Sequence, residues 1–367
     1  MRQRSAWIPA CLLVLCLVPR AGSPQDAQLT ARDGWAALEK GDASKAAAIF
    51  RAEIDRKPSD AWAHFGSAHA SLALGRTDAA LWSLKRAVEH DPGMLPAMVL
   101  LAQVAYKQAD LDLAVRTLEK AAALSPRDQQ LAAQLARWRK ESALHQSFET
   151  QPGVRFNVRF EGGAAQQAVG RRISVLLESA YWSVGQALNI YPATAIDVIL
   201  YSNKQFHDIT RAPAWSGGRY DGRIRIPASG ALRSPEALER VITHEYVHAA
   251  VREAAPAGVP AWVNEGLASH LESGDKSWAR RVLRGADGRI PLEDLVEGFG
   301  GFDSGSAAVA YAESQIAAQL LCERLGTRVG PFLQMLGSGH TVDQALSNHG
   351  VQPETFYAEW RRRVGLE

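Results

Sequence analysis

Residues 41–58 read GDASKAAAIFRAEIDRKP. The same pattern occurs twice more, as GRTDAALWSLKRAVEHDP at 75–92 and as ADLDLAVRTLEKAAALSP at 109–126, with a step of 34 residues. Every copy opens with a small residue, carries alanine at a fixed internal position and closes with proline. Proline supplies no backbone donor and keeps the preceding residue out of helical conformation, so each copy ends a helix there. The period predicts an array of paired amphipathic helices.

Helix pairs with this period resemble tetratricopeptide repeats, and the resemblance extends over residues 28–126. Three units are about the minimum that buries a continuous core, and 128–148 is predicted to be a cap helix that faces solvent. Its charged residues include Arg137, Arg139, Lys140 and Glu141. We therefore expect an α-helical solenoid over 28–148. The resemblance implies a protein partner on its concave face; the alternative is a spacer without a ligand.

Residues 1–23 have the composition of an export signal. Two arginines stand near the start, an apolar run covers 10–18, and small residues follow at 21–23. The apolar run is shorter than the roughly 20 residues that span a bilayer. We therefore expect cleavage after it, a protein exported to the bacterial periplasm or secreted, and no stable transmembrane helix once the signal is removed.

Composition and cysteine content narrow the functional classes. Hydrophobic residues make up 47% of the chain, charged residues 22%, and the formal net charge is +2. These values exclude wholesale disorder and a strongly basic surface, so no nucleic-acid partner is expected. Cys16 would permit a lipid anchor, but Leu15 is bulkier than the residue usual before such a cysteine. Without the signal Cys322 is the one cysteine left, so no internal disulfide is expected.

A second domain is predicted over residues 154–367. Alternation of apolar and polar residues over 154–160 predicts a strand. The elements expected next are a helix and three strands, at 165–188, 195–201, 215–220 and 223–227. Asp221-Gly222 joins the last two strands as a hairpin turn. From Ser234 onward the pattern is helical, and strands followed by helices predict an α+β domain.

Residues 244–248 read His-Glu-Tyr-Val-His, inside a segment over 235–253 with helical periodicity. On a helix His244 and His248 share one face, one turn apart, which lets both imidazoles reach a zinc ion at roughly 2.0–2.1 Å. Glu245 lies one step round the helix. It is therefore placed to take a proton from water at the metal rather than to ligate the metal.

The third ligand is predicted to be Glu265, in Trp-Val-Asn-Glu-Gly-Leu-Ala at 262–268, on a helix that begins after Pro260. A carboxylate completes a His, His, Glu set with one position left for water, which is the pattern of catalytic zinc sites. One glutamate neutralises only part of the dication's charge. The sequence therefore predicts Zn²⁺ held by His244, His248 and Glu265, with Glu245 as the general base.

The two motifs together resemble those of the gluzincin metallopeptidases, the group that contains thermolysin and aminopeptidase N. The closest likeness is to its bacterial peptidase-MA-like branch, whose members often carry tetratricopeptide repeats, and it covers 154 to about 330. It implies a thermolysin-like fold and zinc-dependent hydrolysis of a protein or peptide substrate. It also implies that Tyr311 donates its hydroxyl to a developing oxyanion, with packing under the site as the alternative. A further implication is that the strand at 223–227 is an edge that pairs with bound peptide.

Two features depart from the pattern of the better-known relatives. The segment between His248 and Glu265 is shorter than in thermolysin, and Ser269 stands where thermolysin-type enzymes have an aspartate that orients a ligand. The residue that fixes the imidazole tautomer is therefore left open. Glu272 lies on the face of Glu265 but two turns away, too far to bind the same metal. His270 points away from that face and is expected to be structural.

Endopeptidase activity is the first expectation, because no acidic pattern for anchoring a free amine stands near the motifs. One alternative is a scaffold whose repeats recruit a protein while the second domain is inactive or weakly active. Another is a metal-dependent hydrolase of other substrates. The presence of all three ligands and the base argues against an inactive domain.

Overall fold

A computed structural model describes residues 30–211, 218–227 and 234–365. The predicted export signal at 1–23 lies outside these residues, as does the first half of the strand predicted at 215–220. Within the described ranges, no helix combines the length and the apolar character needed to cross a membrane.

Seven helices form the N-terminal array: α1 Ala31–Glu39, α2 Ala43–Arg56, α3 Ala61–Ala73, α4 Thr77–His90, α5 Leu95–Lys107, α6 Leu111–Leu124 and α7 Gln129–Gln146. The second helix of each pair ends just before its proline, which confirms the predicted repeat of paired helices. The turn within each pair passes through a left-handed residue, at Gly41 (φ 77°), Gly75 (φ 70°) or Ala109 (φ 62°). The small residue that opens each copy of the repeat therefore meets a backbone requirement.

Equivalent positions of the three copies are buried alike. The members of this set are fully inaccessible to solvent and comprise Ala46, Ala80, Ala114, Phe50, Leu84 and Leu118. The alanines allow the paired helices to approach closely, and the larger side chains fill the space between successive pairs. The 34-residue period of the sequence is therefore also the interval at which buried core positions recur.

A mixed sheet of five strands follows. Its strands are β1 Phe148–Gln151, β2 Phe156–Glu161, β3 Ile196–Tyr201, β4 Arg219–Tyr220 and β5 Ile224–Pro227, in the order β1-β2-β3-β5-β4. β2, β3 and β5 are mutually parallel, whereas β1 and β4 run antiparallel to their neighbours. Helix α8, Ala164–Leu188, makes the crossover from β2 to β3, and α9, Asn203–Thr210, follows β3.

The prediction that the strand at 223–227 is an edge is wrong. β5 lies between β3 and β4, because Ile224 is paired with Val198 on one side and with Tyr220 on the other. The turn at Asp221 and Gly222 (φ 97°) folds the hairpin so that β4 takes the outer position. The edge strand nearest the predicted site is therefore β4. The sequence pattern also does not predict β1, which directly follows the cap helix.

In the described part of the chain from residue 234 onward, seven α-helices follow: α10 Pro235–Ala254, α11 Ala261–Leu271, α12 Trp278–Arg284, α13 Ser304–Leu325, α14 Val329–Gly337, α15 Val342–Asn348 and α16 Pro353–Val364. Short 3-10 turns occur at Leu292–Leu295, Phe299–Gly301 and Gly326–Arg328. α8 and α10 cover one face of the sheet, and α11 packs between α10 and α13. This arrangement of a small mixed sheet followed by helices agrees with the predicted element order.

The opposite face of the sheet is joined to the repeat array by a buried ionic cluster. Arg225 of β5 is fully buried and donates to Glu141 Oε1 of α7 (2.7 Å), Tyr201 Oη (2.7 Å) and Asp221 Oδ1 (2.9 Å). Tyr106 of α5 donates its hydroxyl to Glu141 Oε2 (2.7 Å). The prediction that α7 is a solvent-facing cap is therefore wrong for Glu141, which faces the sheet because Arg225 supplies its counter-charge.

Candidate metal centre

Helix α10 positions the first motif. Ser234 caps its N-terminus by accepting a backbone hydrogen bond from the first turn (3.2 Å). Leu238 and Ile242 anchor the helix in the core beneath the sheet. His244 and His248 lie one turn apart on the side of the cleft, with ring centroids 4.9 Å apart and planes at 84°. The helical spacing read from the sequence thus brings the two imidazoles together.

Helix α11 brings Glu265 to the histidines because it packs very closely on α13. A Cβ at Gly266 would lie 2.3 Å from the carbonyl oxygen of Ser314, so this approach requires glycine. The result is that Oε2 of Glu265 lies 3.7 Å from Nε2 of His244 and 3.7 Å from Nε2 of His248.

These three side chains have the chemistry and spacing of a zinc site. Their ligand atoms all lie within 4.8 Å of one another, and no other such group of three occurs in the described parts of the chain. Atoms bound to tetrahedral zinc at about 2.0–2.2 Å are separated by roughly 3.3–3.6 Å, close to the separation here. At 3.7 Å the groups do not hydrogen-bond to one another. Two imidazoles and one carboxylate therefore converge without forming hydrogen bonds to one another.

Glu272 orients His244. Its Oε2 lies 2.9 Å from Nδ1 of His244, which leaves Nε2 directed at Glu265. A carboxylate on the second nitrogen fixes the tautomer and the orientation of a ligand imidazole. Glu272 therefore supplies the contact that orients the His244 imidazole, which the sequence left open. No sequence pattern predicts this contact, because the contact depends on how α10 and α11 cross and not on spacing along either helix.

The electrostatics of the site favour positive charge. Burial lowers the pKa of His244, but Glu265 and Glu272 outweigh that effect and raise this pKa to about 10. Burial raises the pKa of Glu265, but His248 and His244 outweigh it and lower that pKa overall. Nδ1 of His248 is buried without a hydrogen-bond partner among the described side chains and backbone. The pocket therefore attracts a proton or a metal cation.

Glu245 lies beside the three converging groups and is almost completely buried. Burial raises the pKa of Glu245, against the opposing effect of His248 and His244. A Cβ at Gly218 would lie 2.7 Å from Oε1 of Glu245. Only glycine fits beside this carboxylate, so the start of strand β4 lies directly against the predicted general base.

Tyr311 reaches the site from α13. Its hydroxyl is hydrogen-bonded to Glu265, and burial raises the pKa of the Tyr311 hydroxyl. Its ring packs edge-on against Phe299, with centroids 5.1 Å apart and planes at 89°. Tyr311 therefore both packs under the site and presents its hydroxyl at the predicted ligand set.

The site opens into a cleft of about 1910 Å³ that has two walls. One wall belongs to α10 and α11, and the other is formed by the inner turns of the repeats. A Cβ at Gly75 would lie 2.9 Å from the backbone nitrogen of Ala257, and one at Gly222 would lie 2.2 Å from the carbonyl oxygen of Lys107. The repeat array therefore lies against both the loop after α10 and the β4–β5 hairpin, and it covers one side of the cleft.

Comparison with known proteins identifies the first region. Residues 73–137 match the tetratricopeptide repeat family. This match runs from the end of α3 into α7 and covers less than half of the chain. No curated protein matches the chain. The fold and the match together define a protein with a tetratricopeptide repeat array, a class of structure that generally mediates protein–protein interaction, followed by a helical region with a small mixed sheet.

Proposed function

We propose that the chain is a zinc-dependent peptidase in which His244, His248 and Glu265 hold the metal and Glu245 is the general base. The observation that carries this proposal is the convergence of the three ligand atoms at 3.7 Å beside a buried carboxylate, at the base of a cleft. The likeness of both sequence motifs to those of gluzincins supports the same assignment.

The residues of the chain divide the reaction between them. Zinc bound by this ligand set would lower the pKa of its bound water towards about 7 and would polarise a peptide carbonyl. Glu245 accepts the proton of the attacking water and passes it to the leaving amine. Tyr311 donates its hydroxyl to the oxyanion as the carbonyl becomes tetrahedral. Glu272 keeps Nε2 of His244 directed at the metal position.

The substrate we propose is a protein or peptide cleaved internally. The cleft continues from the metal position to the inner turns of the repeats, which leaves room for substrate residues beyond the scissile bond on that side. Among the strands that the structure describes, β4 is the outermost next to the site, and an extended peptide can add to such an edge. The repeats would recruit the substrate or a partner protein, and the composition of residues 1–23 supports export to the periplasm or beyond the cell.

The competing function is a scaffold in which the repeats bind a protein and the second region has no catalytic role. The match of residues 73–137 to tetratricopeptide repeats supports protein binding by the array, which this function and the proposed peptidase share. A direct measurement of metal content separates the two functions.

The test is elemental analysis of the purified chain beside two variants. We expect about one zinc per chain, lost in Glu265→Ala and retained in Glu239→Ala, which changes an exposed glutamate of the same helix as His244. A screen of peptide and ester substrates then identifies the bond that is cleaved. A folded sample that binds no metal when zinc is supplied would contradict the peptidase and favour the scaffold.

A further inference from the structure

Two of the basic residues that line the cleft, Lys107 and Arg252, lie towards the repeats. Arg240 lies one turn before His244, at the other end of the metal centre, and Arg219 lies near Glu245. Most carboxylates along the same cleft already form an ion pair or belong to the metal centre. Asp221 pairs with Arg225, and Asp197 pairs with Arg159. The carboxylates of the metal centre are Glu245, Glu265 and Glu272. Asp78 and Glu253 are the two that remain. These two are therefore the carboxylates of the cleft left to balance Lys107 and Arg252.

Arg252 and Lys107 approach this volume from opposite walls. Arg252 follows His248 by four residues on α10, so it lies on the same face one helical turn, about 5.4 Å, further along. Lys107 ends α5, and its carbonyl is held against Gly222 at the hairpin turn. Burial and the positive charge of Arg252 both lower the pKa of Lys107, as expected for two cations that share one space.

Neither cation is neutralised by its neighbours. In the part of the chain that the structure describes, no ion pair involves Lys107 or Arg252. Glu253 is the next residue after Arg252 and therefore points about 100° away around the helix. Asp78 lies in the first turn of α4, where the helix dipole favours its charge. A carboxylate placed between Lys107 and Arg252 would relieve their repulsion.

We propose that Lys107 and Arg252 form a carboxylate-binding subsite, which selects peptides with aspartate or glutamate about two residues from the scissile bond. This inference rests on the proposed function for the position of that bond. An extended peptide advances about 3.3–3.6 Å per residue, so one turn of α10 beyond His248, about 5.4 Å, corresponds to roughly 1.5–1.6 residues. The repeat array then contributes directly to substrate selection, because Lys107 belongs to it.

The experiment measures peptide binding by fluorescence anisotropy in the Glu245→Gln background, so that no turnover is required. The probes are two fluorescein-labelled peptides of equal length and sequence, except that the glutamates of one are glutamines in the other. We expect the glutamate probe to bind about tenfold more tightly. Lys107→Gln with Arg252→Gln should abolish that preference. Lys85→Gln with Lys120→Gln, which changes exposed lysines outside the cleft, should retain it.

A second variant of the cleft is the control for misfolding. Lys107→Arg with Arg252→Lys keeps both charges and should keep the preference, at an unchanged thermal midpoint. Equal binding of the two probes, binding of neither, or a preference that survives the glutamine variant would overturn the subsite. The two proposals fail separately. Acidic preference in a chain that binds no zinc rejects the peptidase alone, whereas cleavage without acidic preference rejects the subsite alone.

Discussion

The junction cluster, defined by Glu141, Tyr106, Tyr201, Asp221 and Arg225, is mostly buried, whereas the ligands of the metal centre are half-buried beside the cleft. At the junction the charged groups satisfy one another, with donor–acceptor distances of 2.7–3.0 Å. At the metal centre the ligand atoms stand 3.7 Å apart and face an open cleft. Both clusters bring charged side chains close together, so what marks a site for a ligand is convergence without mutual hydrogen bonding.

The two clusters also differ in what their loss should affect. Removal of one partner of a buried ion pair leaves the other uncompensated and destabilises the fold. Removal of a group from the metal centre should instead reduce metal binding or turnover, because those groups are not each other's partners. Stability and activity are therefore the two measurements that test the comparison.

The largest effect is expected from Glu245→Gln. The amide keeps the size of the side chain but cannot accept a proton, so turnover should fall roughly 10³–10⁴-fold while the zinc content stays unchanged. Glu239→Gln, at an exposed position on the same helix, is the control and should retain full activity. Steady-state cleavage of the peptide found in the substrate screen measures both. Unchanged turnover in Glu245→Gln would refute the assigned base.

Glu141→Ala should produce the largest loss of stability. The substitution removes one of the two carboxylates that pair with the fully buried guanidinium of Arg225 and leaves Asp221 as the other, so the free energy of unfolding should fall by about 3 kcal/mol. Glu119→Ala removes an exposed partner of Arg139 and should cost less than about 1 kcal/mol. Urea unfolding followed by circular dichroism gives both values. Equal effects of the two substitutions would mean that the junction is no more than a surface ion pair.

Glu272→Ala tests whether the metal centre depends on its supporting contact. Loss of the 2.9 Å bond to His244 frees the imidazole to rotate, and we expect zinc affinity to fall about 10–100-fold. Competition with a chromophoric chelator measures the affinity. Glu272→Gln, which still offers an oxygen to Nδ1, should recover part of it. If both variants bind zinc as the unchanged chain does, Glu272 has no positioning role.

The sequence predicted most of what depends on spacing along one element. The repeat period located the helix ends and the buried positions of the array, and the four-residue step placed His244 and His248 together. Contacts that depend on how elements cross were not predictable in the same way. Glu272 reaches His244 only because α10 and α11 cross, and Glu141 belongs to a helix whose pattern resembles a solvated cap. The turn at Gly222 decides that β4 is the edge, which the strand pattern of 223–227 does not reveal.

The smallest expected effect is the pH response of the junction, which includes His145. Nε2 of this histidine lies 2.7 Å from Tyr201 Oη, and burial lowers the pKa of His145 to about 4, against the opposing charge of Glu141. The cations that face it come from two strands and comprise Arg159, Arg223 and Arg225. His145 is therefore neutral in the folded chain at pH values where it is protonated in the unfolded chain.

Because the unfolded state binds this proton more tightly, the contribution of His145 to stability is complete above pH 6.5 and declines as the pH falls towards 4. From pH 7 to pH 5 we expect a loss of about 1–2 kcal/mol in the free energy of unfolding. The glutamine in His145→Gln cannot be protonated and still offers a hydrogen bond to Tyr201. The free energy of unfolding of this variant should therefore fall by about 1–2 kcal/mol less between pH 7 and pH 5. Urea unfolding at the two pH values measures the difference. Identical pH dependence in both proteins would show that the junction does not titrate through His145, and that it responds to acid only at lower pH through its carboxylates.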